Sequence, residues 1–137
     1  MDRKDLQKLS RVRLKEAGAL LQLQLFDGAY YLAGYAVECA IKACIAKGMR
    51  RYEFPDKKKA DSSYSHKLRD LLGVAGLENA YRQHIQQDPR FGRNWQMVES
   101  WSEQSRYQRH TPQKAKELLR AIKERQHGVI SWLKLHW

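Results

Sequence analysis

The chain has 137 residues, of which 42% are hydrophobic and four are tryptophan, so it is long enough to form one domain with a genuine core. Its formal net charge of +11 favours polyanionic partners such as nucleic acid, nucleotides or an acidic protein, while the alternative is a basic surface that only keeps the protein in solution. The first residues, MDRKDLQKL, lack the apolar segment of a signal peptide, so we expect a cytoplasmic protein.

The first predicted element is a long amphipathic helix from Asp2 to Leu25. Apolar side chains recur on one side of it at helical spacing, at Leu6, Leu9, Val12, Leu20 and Leu23. Gly18 lies inside this run, where glycine costs about 1 kcal/mol relative to alanine, and it indicates a close contact with a neighbour.

The second predicted helix, Phe26 to Lys47, organises the rest of the chain. Its sequence, FDGAYYLAGYAVECAIKACIAK, is apolar or small on nearly every side, which is typical of a helix buried among others. We expect Asp27 to cap its start and Gly48 to follow its end. It does not suit a membrane, because Glu38 and Lys42 near its middle would each cost about 2.5–3.5 kcal/mol on insertion scales.

One polar seam runs along this second helix at helical spacing, formed by Tyr31, Tyr35, Glu38 and Lys42. The acid precedes the base by four residues, which is the favourable order for a helical ion pair. The seam is either a satisfied contact between helices or subunits, or one wall of a ligand site, because buried titratable groups beside aromatic rings often mark such sites.

Cys39 and Cys44 lie on different faces of the same helix, so we expect two buried free thiols rather than a disulfide or a metal site. Residues 49–65 break the helical pattern with Pro55 and the basic run Lys57 to Lys59, and they predict a mobile loop that could contact phosphate.

Three further helices are predicted from cap and proline patterns. Ser65 is expected to cap a short helix from His66 to Val74, and another short helix runs from Glu78 to about Gln86. Asp88 and Pro89 then predict a helix that reaches Trp101.

A polar joint from Ser102 to Thr111 precedes the last predicted element, a single long helix that begins with Thr111 and Pro112. Its apolar side carries Leu118, Ile122, Val129 and Leu133. A second, basic side carries Lys116, Arg120, Lys123 and His127, and it is either a track for a polyanion or a solvated face. With no alternating strand pattern anywhere, the sequence predicts one all-α domain, residues 1–137, folded as a helical bundle.

The common catalytic motifs are missing from the sequence. It contains no Gly-rich phosphate loop, no HExxH, no paired-cysteine metal knuckle and no Gly-x-Ser-x-Gly elbow, so we expect no metal and no cofactor. Metal-independent RNA cleavage would need a histidine as acid or base and a cation beside the phosphate. Such groups occur together in Arg106-Tyr107-Gln108-Arg109-His110, and again in Arg120 with His127.

The segment AYYLAGYAVECAIKACIAK resembles the second helix of HEPN domains, the "higher eukaryotes and prokaryotes nucleotide-binding" family. The segments SHKLRDLLGVAGL and NWQMVESWSEQSRY, followed by a closing amphipathic helix, agree with that resemblance, which covers almost the whole chain. It implies an up-and-down bundle of about four or five main helices, a homodimer, and a cytoplasmic prokaryotic setting of the toxin–antitoxin kind, often beside a nucleotidyltransferase partner.

Many HEPN proteins cut RNA through an arginine followed, after four to six residues, by a histidine. Arg106 and His110 have only three residues between them. Arg120 and His127 meet the count, but the residue directly after the arginine is Ala121, where the family usually has a polar residue. The chain therefore looks like the branch that keeps the bundle without the cleaving pair. We expect it to bind a nucleotide, RNA or a protein partner.

The residues expected to bind are assigned as follows. Arg106 would neutralise phosphate and Tyr107 would stack or donate, with His110 beside them and with Tyr31, Tyr35, Glu38, Lys42, Lys116 and Lys123 as further contacts. The alternatives are a metal-independent ribonuclease toxin that uses Arg120 and His127, and a structural oligomerisation partner without a ligand. For Arg106, a structural bridge to a helix end or to Glu38 is equally open.

Overall fold

A computed structural model describes residues 1–49, 61–62 and 64–137 of the chain. Within these residues the protein is an all-α helical bundle without strands, which confirms the predicted fold class. The α-helices are α1 (Arg3–Gln22), α2 (Phe26–Lys47), α3 (Leu68–Val74), α4 (Glu78–Gln87), α5 (Pro89–Glu99), α6 (Pro112–Lys123) and α7 (Val129–Lys134), with a 3₁₀ helix at Glu103–Tyr107. The predicted basic run in the loop lies outside the described residues.

Helices α1 and α2 form an antiparallel hairpin. Asp2 begins α1 with a capping box, in which it accepts from the Asp5 backbone N–H while the Asp5 side chain accepts from that of Asp2. In the middle of the hairpin, the buried Ser10 hydroxyl donates to the Ala36 carbonyl oxygen at 2.7 Å. The predicted first helix is too long at its C-terminal end, because α1 stops at Gln22 and Leu23 is exposed in the connection.

Helix α2 has the predicted bounds and lies at the centre of the bundle. It packs against α1, α3, the 3₁₀ helix, α6 and α7. Most of its side chains are buried, and Ala33, Ala36, Ala40 and Ala43 have no exposed surface. Because α2 carries small and apolar side chains on nearly every side, the other helices can pack closely around it.

The predicted N-terminal caps of α5 and α6 are confirmed, whereas that of α3 is not. The Asp88 carboxylate accepts from the Phe91 backbone N–H at 3.1 Å, and the Thr111 hydroxyl accepts from that of Lys114 at 3.1 Å. Helix α3, in contrast, begins at Leu68 without a side-chain cap, because the Ser65 hydroxyl accepts from the Lys67 backbone N–H ahead of the helix.

The predicted single closing helix is wrong, since the chain folds into α6 and α7 with a turn between them. Glu124 leaves the helical conformation at ψ 130°, and the Gly128 N–H donates to the Glu124 carbonyl oxygen at 2.9 Å. A Cβ on Gly128 would lie 2.1 Å from that oxygen, so the close approach of the two backbones requires glycine here. The apolar positions on both sides of the break still face the core.

The two cysteines are buried and free. Burial raises the pKa of Cys39 to about 11 and that of Cys44 to about 12, because the thiolate form would lose its hydration. Both thiols therefore behave as small core side chains. Among the described helices, none combines the length and the apolar character that crossing a membrane requires.

Candidate functional site

The polar seam of α2 is built around a buried carboxylate. Glu38 is only 2% exposed. Its Oε2 accepts from Lys42 Nζ at 3.3 Å, and its Oε1 accepts from His66 Nδ1 at 3.0 Å. Buried charges are tolerated when they are paired in this way, so the ion pair predicted from the sequence is present and is completed by a histidine from the segment before α3.

A small cleft of about 140 Å³ opens beside this carboxylate, between α2 and residues 101–106. We call it the seam cleft, and its lining residues are Tyr31, Tyr35, Glu38, His66, Trp101, Glu103, Gln104 and Arg106. Of the predicted site residues, it therefore brings together both tyrosines, the glutamate and the arginine. Lys42 touches the cleft only through its bond to Glu38.

The aromatic wall of the seam cleft depends on a glycine. A Cβ on Gly34 would lie 2.3 Å from atoms of the Trp101 indole, so only glycine lets this ring lie flat against α2. Tyr31 stacks between Trp101, at a centroid distance of 6.0 Å, and Tyr35, at 6.2 Å. Burial raises the pKa of the Tyr35 phenol, and Cys39 and Glu38 add to this effect, so the hydroxyl stays neutral.

Arg106 lies at the mouth of the seam cleft with its guanidinium 4.8 Å from the Tyr107 ring centroid. The phenol of Tyr107 raises the pKa of Arg106, and that of Tyr31 adds to this effect, so the guanidinium stays charged. Tyr107 is 73% exposed. Among the described residues no carboxylate lies within salt-bridge distance of Arg106, so the structural bridge from Arg106 to Glu38 is not formed.

Four lining residues were not predicted from the sequence as site residues. His66, Glu103 and Gln104 come from polar stretches that have no helical periodicity to indicate their direction. Trp101 is only 2% exposed and belongs to the core, yet it also lines the cleft. The one acid of WSEQSR, Glu103, lies three residues before Arg106 in the polar joint, and it is the sequence signal that could have indicated this part of the cleft wall.

His110 does not join the seam cleft. Its ring is buried against Tyr30, with ring centroids 3.8 Å apart, and its backbone N–H donates to Asp27 Oδ1 at 2.6 Å. The expectation that Asp27 caps α2 is wrong for the same reason, because that carboxylate turns away from its own helix toward His110.

Arg120 and His127 do not share a helical face, since α6 ends at Lys123 and His127 lies in the following turn. His127 Nδ1 donates to Asp88 Oδ2 at 2.6 Å. Arg120 is exposed on α6. Arg120 and His127 are therefore not brought together on one helical face, as a cleaving pair would require.

His127 instead belongs to a set of contacts that closes the break between α6 and α7. The Asn94 amide donates to the His127 carbonyl oxygen at 2.9 Å and to Glu124 Oε2 at 3.1 Å, while Arg90 Nε lies 2.8 Å from Glu124 Oε1. We call these residues, Asp88, Arg90, Asn94, Glu124 and His127, the turn network. Each of its side chains has a partner inside the set.

The remaining predicted residues, Lys116 and Lys123, are exposed on α6. Lys123 Nζ lies 3.8 Å from the position that a Cβ on Gly18 would take, so the basic side of α6 approaches α1. Within residues 1–49, 61–62 and 64–137, no three His, Cys, Asp or Glu side chains group closely enough to hold a metal ion. Comparison of the chain with family models, curated proteins and solved structures finds no match.

Proposed function

We propose that the chain is a HEPN-like binding module that holds single-stranded RNA or a nucleotide at the seam cleft. The observation that carries this proposal is the exposed pair of Arg106 and Tyr107 at the cleft mouth, with a cation over an aromatic face and no carboxylate partner for that cation in the described chain. Proteins that bind single strands combine such cations with exposed rings, on which bases stack.

The chemistry of the cleft fits this division of roles. Arg106 would pair with a phosphate through its planar donors, and Tyr107 would stack on a base. The carboxylate of Glu38 does not oppose the phosphate, because Lys42 and His66 are bound to it. Glu103 and Gln104 line the cleft and present oxygen and amide groups that can pair with base edges.

The basic side of α6 extends this proposal to a longer ligand. Lys116, Arg120 and Lys123 are exposed on one helix, and the chain carries a net charge of +11. Neutralising several phosphates releases counterions, so RNA binding would weaken steeply as salt rises. A mononucleotide held at the cleft alone would show a much smaller salt dependence.

The resemblance to HEPN domains supports the proposed setting of this function. We propose that the protein acts as a cytoplasmic homodimer in a toxin–antitoxin-like pair, with a nucleotidyltransferase as the protein partner. A stable complex with such a partner, in the absence of any affinity for RNA or ATP, would replace RNA binding with a purely structural role.

The test measures binding of labelled single-stranded RNA and labelled ATP by fluorescence anisotropy between about 50 and 200 mM salt. We expect Arg106→Ala to weaken binding about tenfold, which corresponds to about 1.4 kcal/mol for one phosphate and stacking contact. Arg93→Ala, which removes the same charge from an exposed position on α5, is the matched control and should leave affinity unchanged at the same salt.

Two results would contradict the proposal. One is the absence of salt-dependent binding to both ligands, and the other is an equal loss of affinity in the Arg106 and Arg93 variants. RNA recovered intact after incubation in EDTA is the expected result for a binding module. RNA cut under the same conditions would favour the metal-independent ribonuclease alternative.

A further inference from the structure

The seam cleft is too small to enclose a whole nucleotide. Its volume is about 140 Å³, whereas pockets that enclose a small ligand measure about 300–1,000 Å³. The rest of a bound nucleotide therefore has to lie against a neighbouring surface. Tyr35 identifies that surface, because it lines the seam cleft and also a second, larger cleft.

The second cleft has a volume of about 550 Å³ and lies between Tyr35 and the first half of α1. We call it the α1 groove. Its α1 side carries the apolar side chains of Leu9 and Val12, and it also carries the cations Lys8 and Arg13. An aromatic and apolar surface next to a cation offers a base and its phosphate the two contacts that single strands need.

Lys8 also belongs to a row of cations along the outer side of α1. Spacings of four, three and four residues place its members on one helical face, and all of them are exposed. We call this row, Lys4, Lys8, Arg11 and Lys15, the α1 stripe. It rises by about 16 Å along the helix, which corresponds to about four or five phosphates of a stacked strand at about 3.4 Å each.

The acids near the α1 stripe are engaged elsewhere. Asp5, which also lines the α1 groove, shares the capping box with Asp2, and Glu16 is bonded to Arg13. In the described part of the chain, no carboxylate lies within salt-bridge distance of a stripe cation. The positive charge of the stripe is therefore not neutralised by these residues.

The α1 stripe also works against the stability of its own helix. It contains two like-charge pairs at a spacing of four residues, Lys4 with Lys8 and Arg11 with Lys15, and such pairs destabilise a helix. The Arg11 guanidinium lies 4.8 Å from the Trp137 ring centroid, and this neutral partner holds the cation without cancelling its charge. Cations kept in a row at this cost fit an external polyanion.

We propose that α1 binds the phosphodiester backbone of a single-stranded RNA whose neighbouring nucleotide occupies the seam cleft. The strand passes Tyr35, places a base in the α1 groove and runs along the α1 stripe. This inference rests on the proposed RNA binding at the seam cleft, and it names the ligand as an oligonucleotide rather than a mononucleotide. The shared lining residue Tyr35 favours RNA over an acidic protein, because it makes the two clefts neighbours on one path.

The experiment measures binding of a labelled RNA octanucleotide and of labelled AMP by fluorescence anisotropy at several salt concentrations. Lys8→Gln/Lys15→Gln should weaken octanucleotide binding about tenfold and lower the salt slope by about 1.4, because two phosphate contacts are lost at about 0.7 each. Its affinity for AMP should be unchanged. Lys47→Gln/Arg93→Gln, which removes two charges from exposed positions outside both clefts, is the matched control and should bind the octanucleotide like wild type.

Thermal unfolding followed by circular dichroism separates a lost contact from a damaged helix. The variant Lys8→Gln/Lys15→Gln breaks both like-charge pairs of the α1 stripe, so its melting temperature should equal or exceed that of wild type. A lower melting temperature would contradict the repulsion within the stripe.

The same measurements distinguish failure of this inference from failure of the proposed function. Equal octanucleotide binding by wild type and Lys8→Gln/Lys15→Gln, with a loss in Arg106→Ala, would overturn the path along α1 and leave the seam cleft as the site. Absence of octanucleotide and AMP binding by wild type would overturn both. Polyglutamate bound as tightly as the octanucleotide, with the same loss in the α1 variant, would assign the stripe to an acidic protein and overturn the RNA path.

Discussion

The turn network and the seam cleft each contain a histidine bonded to a carboxylate, yet they differ in whether a charged side chain beside that pair lacks a partner. In the turn network Asp88, Asn94 and His127 bind one another and the break between α6 and α7, and their polar atoms are used inside the fold. In the seam cleft Glu38 is paired with Lys42 and His66, but Arg106 remains at the mouth without a carboxylate partner in the described chain. A His–carboxylate pair alone therefore does not identify a ligand-binding site.

The largest effect should come from removing the carboxylate of the turn network. Asp88→Ala deletes both the cap of α5 and the acceptor for His127, so we expect the free energy of unfolding to fall by about 3 kcal/mol. Urea denaturation followed by circular dichroism measures this loss. At temperatures where the variant is folded, its RNA affinity should equal that of wild type.

The matched control is Asp88→Asn, which keeps the cap and removes the charge. Burial opposes ionisation of Asp88, but the hydrogen bonds from His127 and from the Phe91 backbone outweigh it, and they hold the pKa below its usual value of 3.8. The charge therefore stabilises the fold fully above pH 3.8, and this contribution is lost as the pH falls further toward the folded-state pKa. The gap in urea midpoint between wild type and Asp88→Asn should shrink from pH 7 to pH 3, and a constant gap would contradict this account.

A second comparison uses two helical glycines. Gly34→Ala forces the Trp101 indole away from α2, so we expect a loss of about 2 kcal/mol in stability together with a change in the wall of the seam cleft. Gly18→Ala meets only the flexible end of Lys123 at 3.8 Å and should instead stabilise α1 by about 0.5–1 kcal/mol. Thermal unfolding of both variants checks the opposite signs, and two shifts of the same sign would refute the close approach of Trp101.

The smallest loss of stability should come from Glu38→Gln. The amide keeps the shape of the side chain, and the partners Lys42 and His66 are partly exposed, so water replaces much of what they lose. We expect about 1 kcal/mol of destabilisation by urea denaturation. RNA affinity should change by less than in Arg106→Ala. A larger change would mean that Glu38, rather than Arg106 at the mouth of the cleft, makes the main contribution to RNA binding.

Local features of the sequence predict most of the helices. The bounds of α2 follow from an apolar run between two polar boundaries, and the Asp88-Pro89 and Thr111-Pro112 pairs predict the starts of α5 and α6. The break after α6 was missed because the apolar spacing continues across it. Gly128 was the one available indication, and its role depends on a backbone contact that spacing does not reveal.

The candidate site is less predictable because it joins distant segments. The pair of Glu38 and Lys42 lies within one helix, so helical geometry alone predicts it. The bond from His66 to Glu38 crosses 28 residues and has no periodic pattern behind it. For Arg120 and His127, helical spacing predicted a shared face, but the tertiary contacts of Asn94 and Asp88 with the turn displaced His127 from that register.

The two buried thiols of α2 report how often the core around this helix becomes exposed to solvent. Because thiolates are the species that react with alkylating reagents, and because both thiols are buried with pKa values of about 11 and 12, labelling at neutral pH has to wait until α2 loses its cover. The rate at which an alkylating reagent increases the mass of the protein therefore measures how often α2 becomes exposed, and no engineered probe is needed.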